Sequence, residues 1–182
     1  MRNNLPISQS DDLPWTIRPE TPADYGAVYE VNKLAFENRD AEPRLVEALR
    51  GLPGVISLVA ERDGQVVGHI LFTPIHIDTP SGNVPAISLA PLAVRPGYQN
   101  QGIGAALSRL GLEACRAQGH RIAIVLGHPD YYPRFGFSAA LAKPLACPWG
   151  DCGEAWMALE FVPGALAGVS GKVIYPKAFQ NV

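Results

Sequence analysis

Residues 95–107, RPGYQNQGIGAAL, decide how this chain is read. They hold glycines at 97, 102 and 104 and amide side chains at Gln99, Asn100 and Gln101, just ahead of a run with helical periodicity. A strand, a glycine turn and a helix in that order aim free backbone N–H groups at an anion. Gly102 and Gly104 carry no Cβ, so a bulky phosphate can approach the main chain. The field at a helix end supplies only about 0.3–1 kcal/mol. Charge-assisted hydrogen bonds contribute about 1.5–3 kcal/mol each, so a run of free amides has to hold the ligand. The continuation Ala105-Ala106-Leu107 lacks the third glycine of a dinucleotide fingerprint, and no Gly-Lys-Ser/Thr completes a nucleoside-triphosphate loop. Taken alone, Gln99-x-x-Gly102-x-Gly104 fits either an anion cradle or an ordinary N-cap turn whose small residues serve helix packing.

Downstream, Ile103, Ala106, Leu107, Leu110 and Ala114 form one apolar stripe, which predicts a helix over 102–118 ended by Gly119. RIAIVLG (121–127) is almost wholly apolar, as expected of a buried parallel strand. A Pro- and Cys-containing loop follows, then strands over 156–162 and 173–175. Upstream, PAISLAPLAV (85–94) reads as a strand with Pro91 inside it, which marks a bulge, an edge or a break in pairing. Residues 54–78 read as two strands joined at Asp63-Gly64, a strong two-residue hairpin signal. Helices are expected over 21–36, with Thr21-Pro22 as cap and first turn, and over 42–49, stopped by Gly51; TIRPE (16–20) opens the sheet. Hairpins first and alternating strands and helices later predict one α/β domain with a mixed sheet over 13–182, behind a flexible N-terminus over 1–12.

The bulk composition excludes several classes. The 182 residues carry a net charge of −2 with 47% hydrophobic and 18% charged residues, as expected of a soluble globular protein. A phosphate-backbone binder would show a basic stripe, so nucleic acid is not expected as a partner. No run approaches the roughly 20 apolar residues that span a bilayer, and MRNNLPISQSDD lacks the basic start and apolar core of a signal peptide. A cytoplasmic protein without a membrane partner is expected. Cys115, Cys147 and Cys152 are too few and too odd in number for a disulfide framework; Cys147 and Cys152 could pair or ligate a metal, but with no second Cys/His cluster nearby all three are read as ordinary thiols.

PLAVRPGYQNQGIGAAL closely resembles motif A of the GNAT N-acetyltransferase superfamily, Gln/Arg-x-x-Gly-x-Gly/Ala after a strand. SLVAERDGQVVGHILF, LAPLAV, VLGHPDYYPRFGF and PGALAGVSGKVIYPKAF extend the likeness, in order, to the YhbS-like branch of predicted bacterial acetyltransferases. The resemblance implies a GNAT-type fold, with helices flanking a sheet whose central strand splays from the next parallel strand where acetyl-coenzyme A lies. Pro91 suits such a strand, whose ladder is already broken. By the same resemblance, main-chain groups of Leu92 and Val94, with Ala93 between them, contact the pantetheine arm. Gln99, Asn100, Gln101, Gly102, Ile103, Gly104 and Ala105 line the diphosphate.

HPDYYPRFGF (128–137) is the second informative stretch. Its prolines allow a short helical turn at most, and Gly136 suits a left-handed stop. In many GNAT enzymes a tyrosine four residues before a Gly-Phe pair faces the thioester sulfur, which implies Tyr132 as general acid; Tyr131 has no assigned role. The alternative for Tyr132 is a packing tyrosine bonded to backbone. The central strand has no ionisable side chain, which leaves Glu42, His69, His76, His128 or water as the base. His69 reads equally as a satisfied core histidine and His128 as a loop contact.

The function implied is transfer of acetyl from acetyl-CoA, as co-substrate and without metal, to a primary amine by direct attack. A non-catalytic acyl-CoA sensor or interaction module on the same fold is the alternative. Small amine, amino acid and protein lysine are all compatible acceptors, and a monomer or homodimer is expected. The two N-terminal helices and the loop over 144–154, with Glu42, Arg44, Trp149, Asp151 and Glu154, are expected to wall the acceptor site.

Overall fold

Asp63 and Gly64 both take positive φ, 51° and 72°, which matches the twist of a two-residue hairpin. The computed structural model describes residues 14–181, so the stretch expected to be flexible, 1–12, lies outside the described residues. In chain order the elements are β1 (Thr16–Pro19), α1 (Tyr25–Ala35), α2 (Ala41–Leu49), β2 (Ile56–Arg62), β3 (Gln65–Thr79) and β4 (Gly82–Val94). Then come α3 (Ile103–Ala117), β5 (Ile122–Leu126), α4 (Ala139–Ala142), β6 (Leu145–Ala146), β7 (Trp156–Glu160) and β8 (Gly171–Ile174). The main sheet runs β1-β2-β3-β4-β5-β7, antiparallel except for β4 and β5, and β8 joins the upper part of β3 at His76–Asp78.

Both faces of this mixed sheet are covered. Ile70 and Phe72 of β3 pack with Ile103, Leu107 and Cys115 of α3, whereas Leu71, between them, packs with Val28, Val31, Val46 and Leu49 of α1 and α2. The alternation is the period-2 geometry of a strand buried on both sides. Gly111 lets α3 sit close, because a Cβ there would collide with the Phe72 ring.

The expected helix over 21–36 is divided: a 3₁₀ turn at Pro22–Asp24 precedes α1. Asp24 causes the change of pitch. Its carboxylate accepts from Thr21 N and Oγ1 at 2.7 and 2.8 Å and from both terminal nitrogens of Arg18 at 2.7 and 2.8 Å. The strand expected over 156–162 stops at Glu160, whose carboxylate turns the chain by accepting from the amides of Gly164 and Leu166. The short α4 and β6 fall within the stretch read as loop. Cys147 and Cys152, read as ordinary thiols, are instead paired as a disulfide. A tight turn, with Gly150 N donating to Cys147 O and Gly150 at φ 96°, folds the segment back on itself.

Candidate active site

The sheet opens beside β4. Only Ile87 with Ala123 and Ser88 with Ile124 pair in parallel between β4 and β5. Beyond them β4 continues to Val94, while β5 stays paired to β7 through Leu126. Pro91 lies at the opening: Ile70 faces Leu92 and Phe72 faces Leu89, so Ala90 and Pro91 together oppose Leu71 in a bulge. Arg95 N donates to Val67 O at 2.9 Å. Arg95 and Ala93 therefore point their main chain at β3, and alternation leaves that of Leu92 and Val94 for the open edge. The Val94 carbonyl there accepts from Gln99 Nε2 at 3.0 Å, so this acceptor is already engaged.

A cleft of about 660 Å³ runs from that edge to the start of α3. Leu92, Val94, Gln99, Asn100, Gly102, Gly104 and Ala105 line it, and Ala93, Gln101 and Ile103 do not. Ala93 and Ile103 are 1% exposed, their side chains committed to opposite faces of the sheet. Gln101 braces the loop: its Nε2 donates to Gly97 O, and its Oε1 accepts from Arg62, both at 3.0 Å. Gly97, Asn100 and Gly102 have φ of 89°, 61° and 87°, which folds the loop so that α3 starts against the cleft. The amides of Ile103, Gly104 and Ala105 have no intrahelical acceptor there, and a Cβ on Gly102 would meet nothing within 4 Å. At Gly102 the loop thus offers an anion its N–H groups with no Cβ in the way. Of basic groups, Arg134 and His128 line this cleft.

Tyr132 begins a 3₁₀ turn closed by Gly136 at φ 95°. Its ring packs edge-on against Tyr131 and Phe137, at 5.1 and 5.8 Å between centroids, and lies on Gly127. Burial pushes its phenol well above the ordinary value, so it is a protonated donor throughout the neutral range. Tyr131 lines the same cleft, with its hydroxyl 3.0 Å from the point a Cβ on Gly104 would occupy.

A second cleft, of about 470 Å³, adjoins the first; Leu92, His128 and Tyr132 line both. Of the residues expected to wall an acceptor site, Glu42 and Trp149 line it. Asp151 and Glu154 line a separate cleft near α4, and Arg44 lines neither. Phe36, Tyr175 and Phe179 also line it, aromatic residues that the sequence analysis does not single out. The aromatic spacing in YPKAF, 175–179, was the available signal. Tyr175 hydrogen-bonds Ser88 Oγ at 3.0 Å, on the last β4 residue paired to β5.

The four candidate bases separate. His69 is fully buried: Nδ1 meets Asn32 Nδ2 at 3.0 Å and Nε2 meets Ser57 Oγ at 2.9 Å. Asn32 Nδ2 also donates to Val28 O, so it is the donor to His69, whose own proton sits on Nε2. Burial lowers the His69 pKa to about 3, and both nitrogens are occupied, as in a satisfied core histidine. His76 lies where β3 pairs with Pro85 and Ile174 and lines neither cleft. Glu42 and His128 line the second cleft. Among the described residues, no group of three or more His, Cys, Asp or Glu could hold a metal, and no helix is long and apolar enough to cross a membrane.

A splayed strand feeding a glycine loop at a helix start, beside a second cleft, is the architecture of an acyl-transfer fold. Residues 16–140 match the acetyltransferase (GNAT) domain family, and the chain belongs to that family. It is 33% identical over 167 residues to the uncharacterized N-acetyltransferase YhbS of Escherichia coli K12, covering 91% of this chain and 98% of that protein. The crystal structure of E. coli YhbS in complex with CoA superposes with a TM-score of 0.84 at 34% identity, covering 96% of each chain. A GNAT family acetyltransferase from Brucella melitensis in complex with acetyl-CoA superposes at 0.74 with 35% identity, covering 91% of this chain and 97% of that one.

Proposed function

We propose that residues 13–182 form one cytoplasmic N-acetyltransferase domain that transfers acetyl from acetyl-CoA to a primary amine by direct attack on the thioester. The observation that carries this reading is the junction of the two clefts at Leu92, His128 and Tyr132, where a donor thioester and an acceptor nitrogen can meet. The CoA and acetyl-CoA held by the two superposed relatives support the donor.

In this reading the diphosphate lies on the amides of the loop 99–105, as the absence of a Cβ at Gly102 and Gly104 allows. The pantetheine arm follows the open edge at Leu92 and Val94. The amine attacks the carbonyl carbon, the C–S bond breaks, and CoA leaves as a thiolate. Tyr132 gives that sulfur its proton. A free thiol has a pKa of about 8.5, so the leaving group is already fair; the Tyr132 phenol, pushed above its ordinary value by burial, is a weak acid whose help is moderate. An alkylammonium of pKa about 10.4 must first lose a proton, at about 4–5 kcal/mol near pH 7. Of the two protons the nitrogen sheds overall, solvent takes one and the phenolate regains the other. No cysteine is placed to carry the acetyl group: Cys115 is fully buried, with its thiol pushed up by burial, and Cys147 and Cys152 are paired.

Thiol release from acetyl-CoA across a panel of amines tests the reading. Turnover with wild type, and reduced turnover with unchanged acetyl-CoA affinity in Tyr132→Phe, is expected. Binding of acetyl-CoA with no turnover on any amine would identify an acyl-CoA sensor instead. A trapped acetyl-enzyme would overturn direct attack.

A further inference from the structure

We propose that the acceptor is a small primary amine with an apolar, preferably aromatic body and no carboxylate beside its nitrogen, and that Glu42 binds its ammonium group. This inference rests on the transferase reading above and narrows its acceptor.

The second cleft is built from one carboxylate and an apolar wall. Trp149, Tyr175 and Phe179 form an aromatic cluster, with centroids 4.8 Å apart for Trp149–Tyr175 and Tyr175–Phe179 and 6.4 Å for Trp149–Phe179. Trp149 keeps 45% of its surface exposed although it leans, tilted, against two aromatic neighbours. Negative charge comes from Glu42: among the described residues no other Asp or Glu lines this cleft, and neither does any Lys or Arg. Glu42 Oε1 lies 3.3 Å from Arg39 Nη2, on an arginine side chain 60% exposed. Glu42 Oε2 is buried and has no hydrogen-bond partner among the described residues. A buried carboxylate oxygen without a donor is a costly state that a ligand N–H relieves.

An alkylammonium suits this arrangement. One of its three N–H donors serves Oε2, and its positive charge is favoured near aromatic faces. Its carbon body covers the apolar wall that water now meets. The same chemistry disfavours other amines. An α-amino acid brings a carboxylate for which the described lining offers no lysine or arginine. A polyamine brings a second ammonium, for which the described lining offers no second carboxylate. A site whose polar group pairs with one substrate and is left unpaired by another can discriminate by several orders of magnitude.

The test uses the full chain, acetyl-CoA and a thiol-release assay with phenethylamine, hexylamine, phenylalanine, spermidine and a lysine-containing peptide. Phenethylamine is expected to exceed phenylalanine, the same skeleton with a carboxylate, by at least about tenfold in kcat/KM. Glu42→Gln is expected to raise the phenethylamine KM by about tenfold or more while leaving the acetyl-CoA KM unchanged, which also reports that the variant is folded. Preference for phenylalanine, spermidine or the peptide would overturn the inference and leave the transferase reading standing. An unchanged phenethylamine KM in Glu42→Gln would also overturn it. If no amine turns over, calorimetric titration of the CoA-loaded protein with phenethylamine decides. Binding that Glu42→Gln abolishes supports the amine site although the transferase reading fails, and no binding overturns both.

Discussion

The ring of Tyr132 occupies the space that a Cβ on Gly127 would fill. Gly127 directly follows β5, so the end of the strand beside the opening sets where the phenol stands. A methyl group at 127 has to displace that ring. Gly127→Ala is therefore expected to lower kcat by about tenfold to a hundredfold, since a misplacement of about 1 Å can cost 10²-fold. Acetyl-CoA affinity, measured by calorimetry, should change little, because the loop 99–105 is untouched.

Gly102 makes the opposite separation. Its φ of 87° lies in the left-handed region, and space around the missing Cβ is open, so strain rather than collision limits substitution. Gly102→Ala is expected to strain the loop by about 1–2 kcal/mol. If that strain is relieved by a shift of the amides, CoA affinity falls by about five- to thirtyfold, a change titration calorimetry resolves. The amine KM should stay put.

The His69 network carries a pH signature. Its folded pKa of about 3 lies below the unfolded value of about 6.5, so the unfolded chain takes up the proton first as pH falls. Stability from this group is complete above about pH 6.5 and is lost progressively toward pH 3, at up to about 1.4 kcal/mol per pH unit. Asp24 works in the same direction lower down. Its carboxyl is held below the usual carboxylate range chiefly by the hydrogen bonds from Arg18, so its contribution is lost as pH drops below about 3.9. Urea midpoints between pH 7 and 4 should decline in the wild type and decline less in His69→Gln.

Trp149 reaches the second cleft from the turn that Cys147 and Cys152 close. Cys152→Ser frees that turn and should raise the KM for the amine while leaving that for acetyl-CoA unchanged. Reductant added to the wild type should do the same, and equal amine KM with and without reductant would count against a positioning role for the pair.

Much of this was legible along the chain because it is local. The Asp63-Gly64 hairpin, the α3 stripe, the apolar β5 and the bulge at Pro91 each depend on residues a few positions apart, where turn chemistry and periodicity act directly. The resemblance through 95–107 and 128–137 pointed to residues of the first cleft for the same reason. The short α4 and β6 were missed because tertiary pairing, rather than propensity, holds segments of that length.

The amino-acid order by itself determined the family, the mixed sheet and the loop that ends in Gly102 and Gly104. Only the tertiary structure decided which distant residues meet. It separated Glu42 and Trp149 from Arg44, Asp151 and Glu154, buried His69 between Asn32 and Ser57, and brought Phe36, Tyr175 and Phe179 to one wall. The physical reason is that a backbone loop is encoded by neighbours in sequence. The second cleft is assembled from α2, the open edge of β4, the turn after β5 and the C-terminal segment, whose mutual placement follows from burying both faces of one sheet.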